Sequence, residues 1–243
     1  MLKLLHSIRW QIAHAHQSLH ILARPTQLTQ NELDNLNPSR FTSHVLIHWV
    51  AHPDDPLFPL LLKILAEQGL DEEWAREQFS SGSSAILATV NENGQTIPAG
   101  VGLYTRGEFF VGEIDHLYHP GSTACYLYAT YVSPAFRGRR IQRLLDLHRV
   151  QKGANDGVPH AIAIVLSSNI ASLRGHAAGG FSSAGRIDHF RLRGSSIIIL
   201  RKKTSRLPVG HFPGNGILGS PYLHFSGGSG ALAGGSGTPA RRP

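Results

Sequence analysis

The stretch VSPAFRGRRIQRLLDLHRVQ, residues 132–151, decides how this sequence folds. It follows the strand-forming run ACYLYATYV, residues 124–132, and it carries five arginines. Ile141 and Leu144 share one face of the helix that it predicts, so that this helix packs on a sheet. The charge is concentrated at the start of the helix, whereas a helix that reads a nucleic-acid groove needs charge along one face. The pattern therefore favours a strand–turn–helix that holds an anion, and a solvated basic turn without a ligand stays open.

The chemistry of this turn suits a phosphate. The first amides of a helix have no partner inside the helix, and together with the helix dipole they attract anions. Gly138 allows close approach of the backbone, and Arg139, Arg140 and Arg143 add positive charge. Several amides converge on one place, which suits a pyrophosphate better than a carboxylate.

The turn resembles the central motif of the GNAT superfamily of N-acetyltransferases, a strand that ends in Val-x-Pro and a glycine-containing turn that opens a helix. The matching residues are Val132, Pro134, Arg137, Gly138 and Ile141. Arg140 and Gln142 stand where the superfamily has two further glycines. The resemblance implies that this segment binds the pyrophosphate of acetyl coenzyme A, with no metal. The implied cofactor-binding residues are Tyr131, Val132, Arg137, Gly138, Arg139, Arg140, Ile141, Gln142 and Asn169.

A second motif lies at the distance that the resemblance requires. The stretch NIASLRGHAAGGF, residues 169–181, is similar to the superfamily motif that begins with Asn and ends with Gly-Phe. The resemblance implies that Asn169 contacts the arm of the cofactor. His176 stands at the position where the superfamily usually has a tyrosine that can protonate the departing thiolate, and an imidazole can act as an acid or a base near neutral pH. His176 is therefore a predicted catalytic residue, and a packing histidine is the alternative.

The resemblance implies direct attack of an amine on the thioester, which requires that the amine first lose a proton. Glu113 is the predicted general base, and Asp115, His116 and His119 are the other candidates on the predicted strand over residues 108–118. Tyr126 and Tyr128 share one face of the following strand and are predicted to contact the acceptor substrate.

The remaining pattern predicts an α/β fold with a mixed, mostly antiparallel central sheet, a splayed parallel pair and flanking helices, which is the GNAT-like arrangement. Three regions follow: an amphipathic helix and loop over residues 1–40, the acetyltransferase domain over 41–203 and a disordered tail rich in Gly, Ser and Pro over 204–243. The first helix is predicted from apolar residues spaced by three and four, which are Leu5, Ile8, Ile12, Ala15, Leu19 and Leu22.

Composition narrows the function classes. The net charge of +7 comes from residues 186–243, where nine Lys or Arg stand against one acid. A charge confined to this end of the chain is weak evidence for a nucleic-acid surface. A nucleic-acid partner is therefore not expected. Cys125 is the single cysteine, which excludes an internal disulfide. The sequence contains no run of 18 apolar residues, so no membrane-spanning helix is predicted. His16 and His20 have metal-ligand spacing without an accompanying carboxylate, so no metal is predicted. A cytoplasmic location is expected, with organelle targeting by the acid-poor N-terminus as the alternative.

Two functions remain open at this point, and a third, RNA binding through the basic C-terminus, has only its charge as support. The first is an acetyl-CoA-dependent N-acetyltransferase that acts on an amine of a small molecule or a protein, with a homodimer left open. The second is a GNAT-like module that binds an acyl-CoA or a partner without turnover. The two missing glycines and the missing tyrosine favour the second, whereas Asn169, the Gly-Phe ending and a usable imidazole at His176 favour the first.

Overall fold

The computed structural model describes residues 16–36, 45–111, 116–118, 123–192, 195–202 and 222–226. Its strands are β1 (His16–Pro25), β2 (Val45–Val50), β3 (Ser84–Glu92), β4 (Gln95–Thr105), β5 (Phe109–Val111), β6 (His116–Tyr118), β7 (Ala124–Val132), β8 (His160–Leu166), β9 (Ser182–Leu192), β10 (Ser195–Lys202) and β11 (Tyr222–Ser226). Its α-helices are α1 (Gln30–Asp34), α2 (Phe58–Ala66), α3 (Glu72–Ser80), α4 (Ile141–Asn155) and α5 (Ile170–Ala178).

Nine of the described strands form one sheet in the order β11-β10-β9-β1-β8-β7-β4-β3-β2, and β5 pairs with β6 as a separate ribbon. Neighbouring strands run antiparallel except for β7 and β8, which run parallel. This parallel pairing covers only Ala124–Tyr126 against His160–Ile162, after which the two strands separate. The predicted fold class is confirmed: a mixed, mostly antiparallel sheet with a splayed parallel pair and flanking helices.

Helices cover both faces of the sheet. On one face α2 and α3 bury Phe58, Leu61 and Ala75 against the sheet residues Leu87 and Val101. On the other face Ile141, Leu144 and Leu145 of α4 pack against Ile86, Ala88 and Ala99. The apolar side of α4 is the one that its sequence spacing predicts, and it fixes the first turn of α4 beside the end of β7.

The prediction of an amphipathic helix over residues 5–22 is wrong for residues 16–22, because His16–Pro25 is a strand between β8 and β9. Leu19 and Ile21 are buried in one core cluster and Leu22 in another, so the strand is covered on both faces. A strand buried on both faces shows an apolar run without alternation, which short windows do not separate from a helical stripe. The predicted domain boundary at residue 41 therefore cuts through the sheet; residues 1–15 lie outside the described residues.

Two further predictions need correction. The strand predicted over 108–118 is a ribbon in which Val111 pairs with His116, so the chain reverses direction between β5 and β6. Glu113, the predicted general base, and Asp115 both lie outside the described part of the chain. In the predicted disordered tail, Tyr222–Ser226 forms a strand against β10.

Candidate active site

A cleft opens where β7 and β8 separate, and its cavity measures about 780 Å³. Its walls come from the end of β7, the basic turn, the first turn of α4 and one side of α5. The lining residues are Thr130, Tyr131, Val132, Phe136, Arg137, Gly138, Arg140, Ile141, Gln142, Arg143, Asn169, Ala171, Ser172, Gly175 and Ala178. Eight of the nine residues predicted to bind the cofactor are therefore brought together in one cavity, which leaves Arg139 as the exception.

The turn leaves the start of α4 without a cap. Gly138 has a φ of +79°, and Arg140, the N-cap residue, has a φ of +62° in the left-handed region. The side chain of Arg140 makes no capping hydrogen bond, so the first amides of α4 keep no partner within the helix. No described atom lies within 4 Å of a Cβ built on Gly138, so the backbone is open to a ligand there.

The arginines of the turn divide into two sets. Arg140 and Arg143 line the cavity, and the Nε atom of Arg143 is buried without a hydrogen-bond partner among the described residues. Arg137 lies over the ring of Tyr131 at 5.8 Å, and its Nε donates a hydrogen bond to the carbonyl of Val132. Arg139 points elsewhere: it lies 3.9 Å from a carboxylate oxygen of Glu92. The prediction that Arg139 lines the cofactor site is therefore not supported, and Arg143 is a wall residue that the predicted set left out.

The side chain of Gln142, at the position of the second missing glycine, lies against α5. A Cβ built on Gly175 would stand 2.3 Å from Nε2 of Gln142, so the amide occupies the space that this glycine leaves. A glycine in the middle of α5 is costly for the helix, and the close approach of Gln142 gives it a physical reason. The glutamine thereby forms part of the cleft wall.

Asn169 caps α5 at the mouth of the cleft. Its Oδ1 accepts a hydrogen bond from the amide of Ser172 at 3.1 Å, which is the usual capping geometry. The side-chain NH₂ group is the part of this asparagine that remains for a ligand.

His176 does not lie in the cleft wall. It is 3% exposed, its ring packs edge-on against Phe181, and its Nδ1 lies 3.0 Å from Oδ2 of the buried Asp146. Burial alone would raise the pKa of Asp146, but the adjacent imidazole of His176 and the guanidinium of Arg149 hold it below its ordinary value. The prediction of His176 as the acid that meets the thiolate needs correction: the helical face of α5 that carries it turns toward α4, and the packing alternative describes it.

The predicted acceptor residues Tyr126 and Tyr128 stack at 5.2 Å, and neither lines the cavity. The hydroxyl of Tyr128 lies 2.7 Å from Oγ of Ser83, on the side covered by α3, and burial raises the pKa of this tyrosine to about 12. Tyr131 is the tyrosine of the cleft. Its hydroxyl donates a hydrogen bond to Glu67 at 3.1 Å, and desolvation and this carboxylate raise its pKa.

A second cavity of about 830 Å³ lies at the other end of α4, lined in part by Trp49, Tyr104 and Lys152. Its lysine is already paired with Asp156 at 3.2 Å and lies over both aromatic rings. No uncapped helix start faces this cavity among its lining residues, so the cleft beside β7 is the better anion site. Within the described residues no group of three or more His, Cys, Asp or Glu could hold a metal, and no helix has the length and apolarity that crossing a bilayer requires.

No family model matches the chain, and no curated protein matches it. Among solved structures it is similar to a tandem GNAT protein from the clavulanic acid biosynthesis pathway, with 14% identity and a TM-score of 0.46 over 74% of this chain and 56% of that one. It is also similar to AAC(6')-Iy in complex with the bisubstrate analogue CoA-S-monomethyl-acetylneamine, with 19% identity and a TM-score of 0.48 over 62% of this chain and 99% of that one. A GCN5-related N-acetyltransferase from Sphaerobacter thermophilus has 13% identity and a TM-score of 0.49 over 75% of this chain and 54% of that one.

The first and last of these proteins belong to the superfamily that the two sequence motifs resemble. The chain spans about half the length of each of the two. All three identities are below 20%, and all three TM-scores are below 0.5.

Proposed function

We propose that the protein is an N-acetyltransferase that moves an acetyl group from acetyl-CoA to an amine by direct attack. One observation carries this proposal: an uncapped helix start flanked by Arg140 and Arg143 shares a single cavity with the end of β7. The first feature suits a diphosphate, and the second offers a strand edge without a partner strand to an extended acyl arm.

The residues of the cleft take separate parts in this proposal. The amides that follow Gly138, together with Arg143, hold the diphosphate, and the NH₂ group of Asn169 contacts the arm of acetyl-CoA. The exposed backbone over Thr130–Val132 holds the thioester and polarises its carbonyl, as an oxyanion site does. The lining of the cavity suits the negatively charged diphosphate of acetyl-CoA. It is basic at the start of α4, and it includes no carboxylate among its residues.

The reaction joins the amine nitrogen to the acetyl carbon while the carbon–sulfur bond breaks. The amine gives up a proton and the thiolate takes one. Glu113 stays the predicted general base, and Glu67, hydrogen-bonded to Tyr131 on the cleft wall, is a described carboxylate that can attract a cationic amine. The acceptor is an amine of a small molecule or a protein.

A non-catalytic acyl-CoA-binding module is the second candidate. The burial of His176 favours it, because the position at which the resemblance implies a proton donor does not reach the cleft. Both candidate functions require binding of acyl-CoA, and only the first includes transfer of the acetyl group.

A thiol-release assay with acetyl-CoA and a panel of primary amines separates the two functions. We expect amine-dependent release of free CoA thiol by the wild-type chain, together with an acetylated product detected by mass. Binding of acetyl-CoA without thiol release over the whole panel would support the binding module. Absence of both binding and release would refute each of them.

A further inference from the structure

Arg149 is a fully buried arginine in the middle of α4, with a side-chain exposure of 0%. All five of its N–H groups are used. Nε donates to the carbonyl of Leu145 at 3.3 Å, Nη1 donates to the carbonyls of Leu103 at 3.0 Å and Tyr128 at 3.2 Å, and Nη2 donates to Oγ1 of Thr130 at 2.8 Å and to Oδ1 of Asp146 at 2.5 Å. The guanidinium thus ties α4 to two neighbouring strands of the sheet.

The contacts on β7 lie on either side of a bulge. Val101 of β4 pairs with Tyr131, but Leu103 pairs with Tyr128, so Gly102 faces two residues of β7 where a regular ladder has one. Ala129, between the two contacts of Arg149 on β7, has a φ of +46°. Such a φ is unfavourable for a residue with a Cβ and persists only where its surroundings enforce it.

Gly102 makes room for the guanidinium. A Cβ built on Gly102 would stand 2.6 Å from both Cζ and Nη1 of Arg149. The sequence of β4 therefore leaves a hole over the bulge, and the arginine fills it.

Stability alone does not account for this arginine. Burial lowers the pKa of Arg149, and the Asp146 carboxylate opposes that shift and balances the charge. A buried ion pair of this kind is seldom more stabilising than apolar side chains of the same volume. Its distinctive contribution is geometric, since an apolar side chain cannot hold Tyr128 and Thr130 at fixed positions.

We propose that Arg149 is a positioning residue for acyl transfer: it fixes the bulge at Ala129 so that the free edge of β7 keeps the geometry that holds the acyl thioester. Thr130 connects Arg149 to the cleft, because it accepts a hydrogen bond from Arg149 and also lines the cavity. The inference rests on the proposed function, in which the start of α4 holds the diphosphate.

The test is the carbonyl ¹³C signal of acetyl-CoA labelled at C1, bound to the full chain. We expect wild type to displace this signal from its position in free acetyl-CoA. Arg149→Lys keeps a cation beside Asp146 but cannot make five hydrogen bonds. It is expected to return the signal at least halfway to the free position and to lower the turnover number about tenfold, with acetyl-CoA affinity within threefold. Arg174→Lys, at an exposed arginine of α5, is the matched control and is expected to match wild type.

Thr130→Val removes one acceptor of Arg149 with almost no change in side-chain volume, and it decides the matter if Arg149→Lys fails to fold. We expect this variant to move the carbonyl signal in the same direction, and the double variant to add little to Arg149→Lys.

A role in stability alone would lower the melting temperature and leave the carbonyl signal and the turnover number unchanged in the folded variants, and that result would overturn the positioning role. If wild type itself binds no acetyl-CoA, the proposed function fails and the positioning role fails with it. If wild type binds and transfers while the variants match it, the positioning role alone fails.

Discussion

Gly175→Ala tests whether Gly175 leaves the space that the side chain of Gln142 occupies in the cleft wall. Gln142 stands at a position where the motif of the superfamily has a glycine. The new Cβ would stand 2.3 to 2.5 Å from three atoms at the end of the Gln142 side chain, so this side chain has to move. Both residues line the cavity, and the cavity is the open space beside them. We therefore expect the displaced amide of Gln142 to enter the cleft.

The magnitude follows from two opposing effects. Alanine in place of glycine inside a helix stabilises by about 1 kcal/mol. Overpacking costs about 1–3 kcal/mol, and the low end applies because the atoms displaced are the end of a flexible side chain. The free energy of unfolding should therefore change little in the wild-type background, by about 0.5 kcal/mol or less. In a Gln142→Ala background, where those atoms are absent, the same substitution should stabilise by about 1 kcal/mol.

Chemical unfolding of the four chains of this double-mutant cycle measures the coupling, and calorimetric titration with CoA measures the effect on the cleft. We expect Gly175→Ala to weaken CoA binding about tenfold, equivalent to about 1.4 kcal/mol, in the wild-type background only. Equal weakening in both backgrounds would show that Gln142 plays no part in the loss of affinity.

Three further predictions concern strain, charge and the cysteine. Arg140→Gly should raise the melting temperature by about 2–4 °C, because a residue with a Cβ at a φ of +62° costs about 1 kcal/mol; an unchanged or lower temperature in thermal unfolding would show that the turn is unstrained. The folded-state pKa of Asp146 is lowered, so its carboxylate stabilises the fold above its ordinary pKa of 3.8 and this contribution is lost as pH falls through the lower folded value. The stability difference between wild type and Asp146→Asn should therefore be full at pH 7 and shrink below about pH 4 in urea unfolding, and a constant difference would contradict the ion pair. Burial raises the pKa of the Cys125 thiol to about 12, so a thiol reagent at pH 8 should label it only when the chain unfolds; rapid labelling of the native protein would contradict its burial.

The sheet around the cleft was predictable because its signals are local. The apolar face of α4, the turn residues before it and the continuous apolar run of β8 each specify one element, and they agree with one another. The strand β1 was missed because its burial on both faces depends on β8 and β9, which lie more than 100 residues away in sequence.

The lining of the cleft was predictable where the backbone forms it, and less predictable where side chains form it. Gly138 and Asn169 line the cleft through the geometry of a turn and a cap, which sequence motifs record. The orientation of His176 depends on how α5 packs against α4, and the helical spacing of the motif does not contain that information. The burial of Arg149 was not predicted either, because an arginine on an otherwise apolar helix face is ordinarily expected to be solvated. One signal was present: Arg149 is four residues after Leu145, on the face that the sequence assigns to the core.

Calorimetric titration of three chains measures whether the start of α4 binds the diphosphate of acetyl-CoA. Arg143 lines the cleft with a buried Nε, whereas Arg139, four residues earlier, carries the same charge outside it. Wild type should bind one acetyl-CoA, Arg143→Gln should bind it at least tenfold more weakly because a charge-assisted hydrogen bond contributes about 1.5–3 kcal/mol, and Arg139→Gln should match wild type within twofold. No binding by wild type, or equal weakening by the two substitutions, would contradict the account.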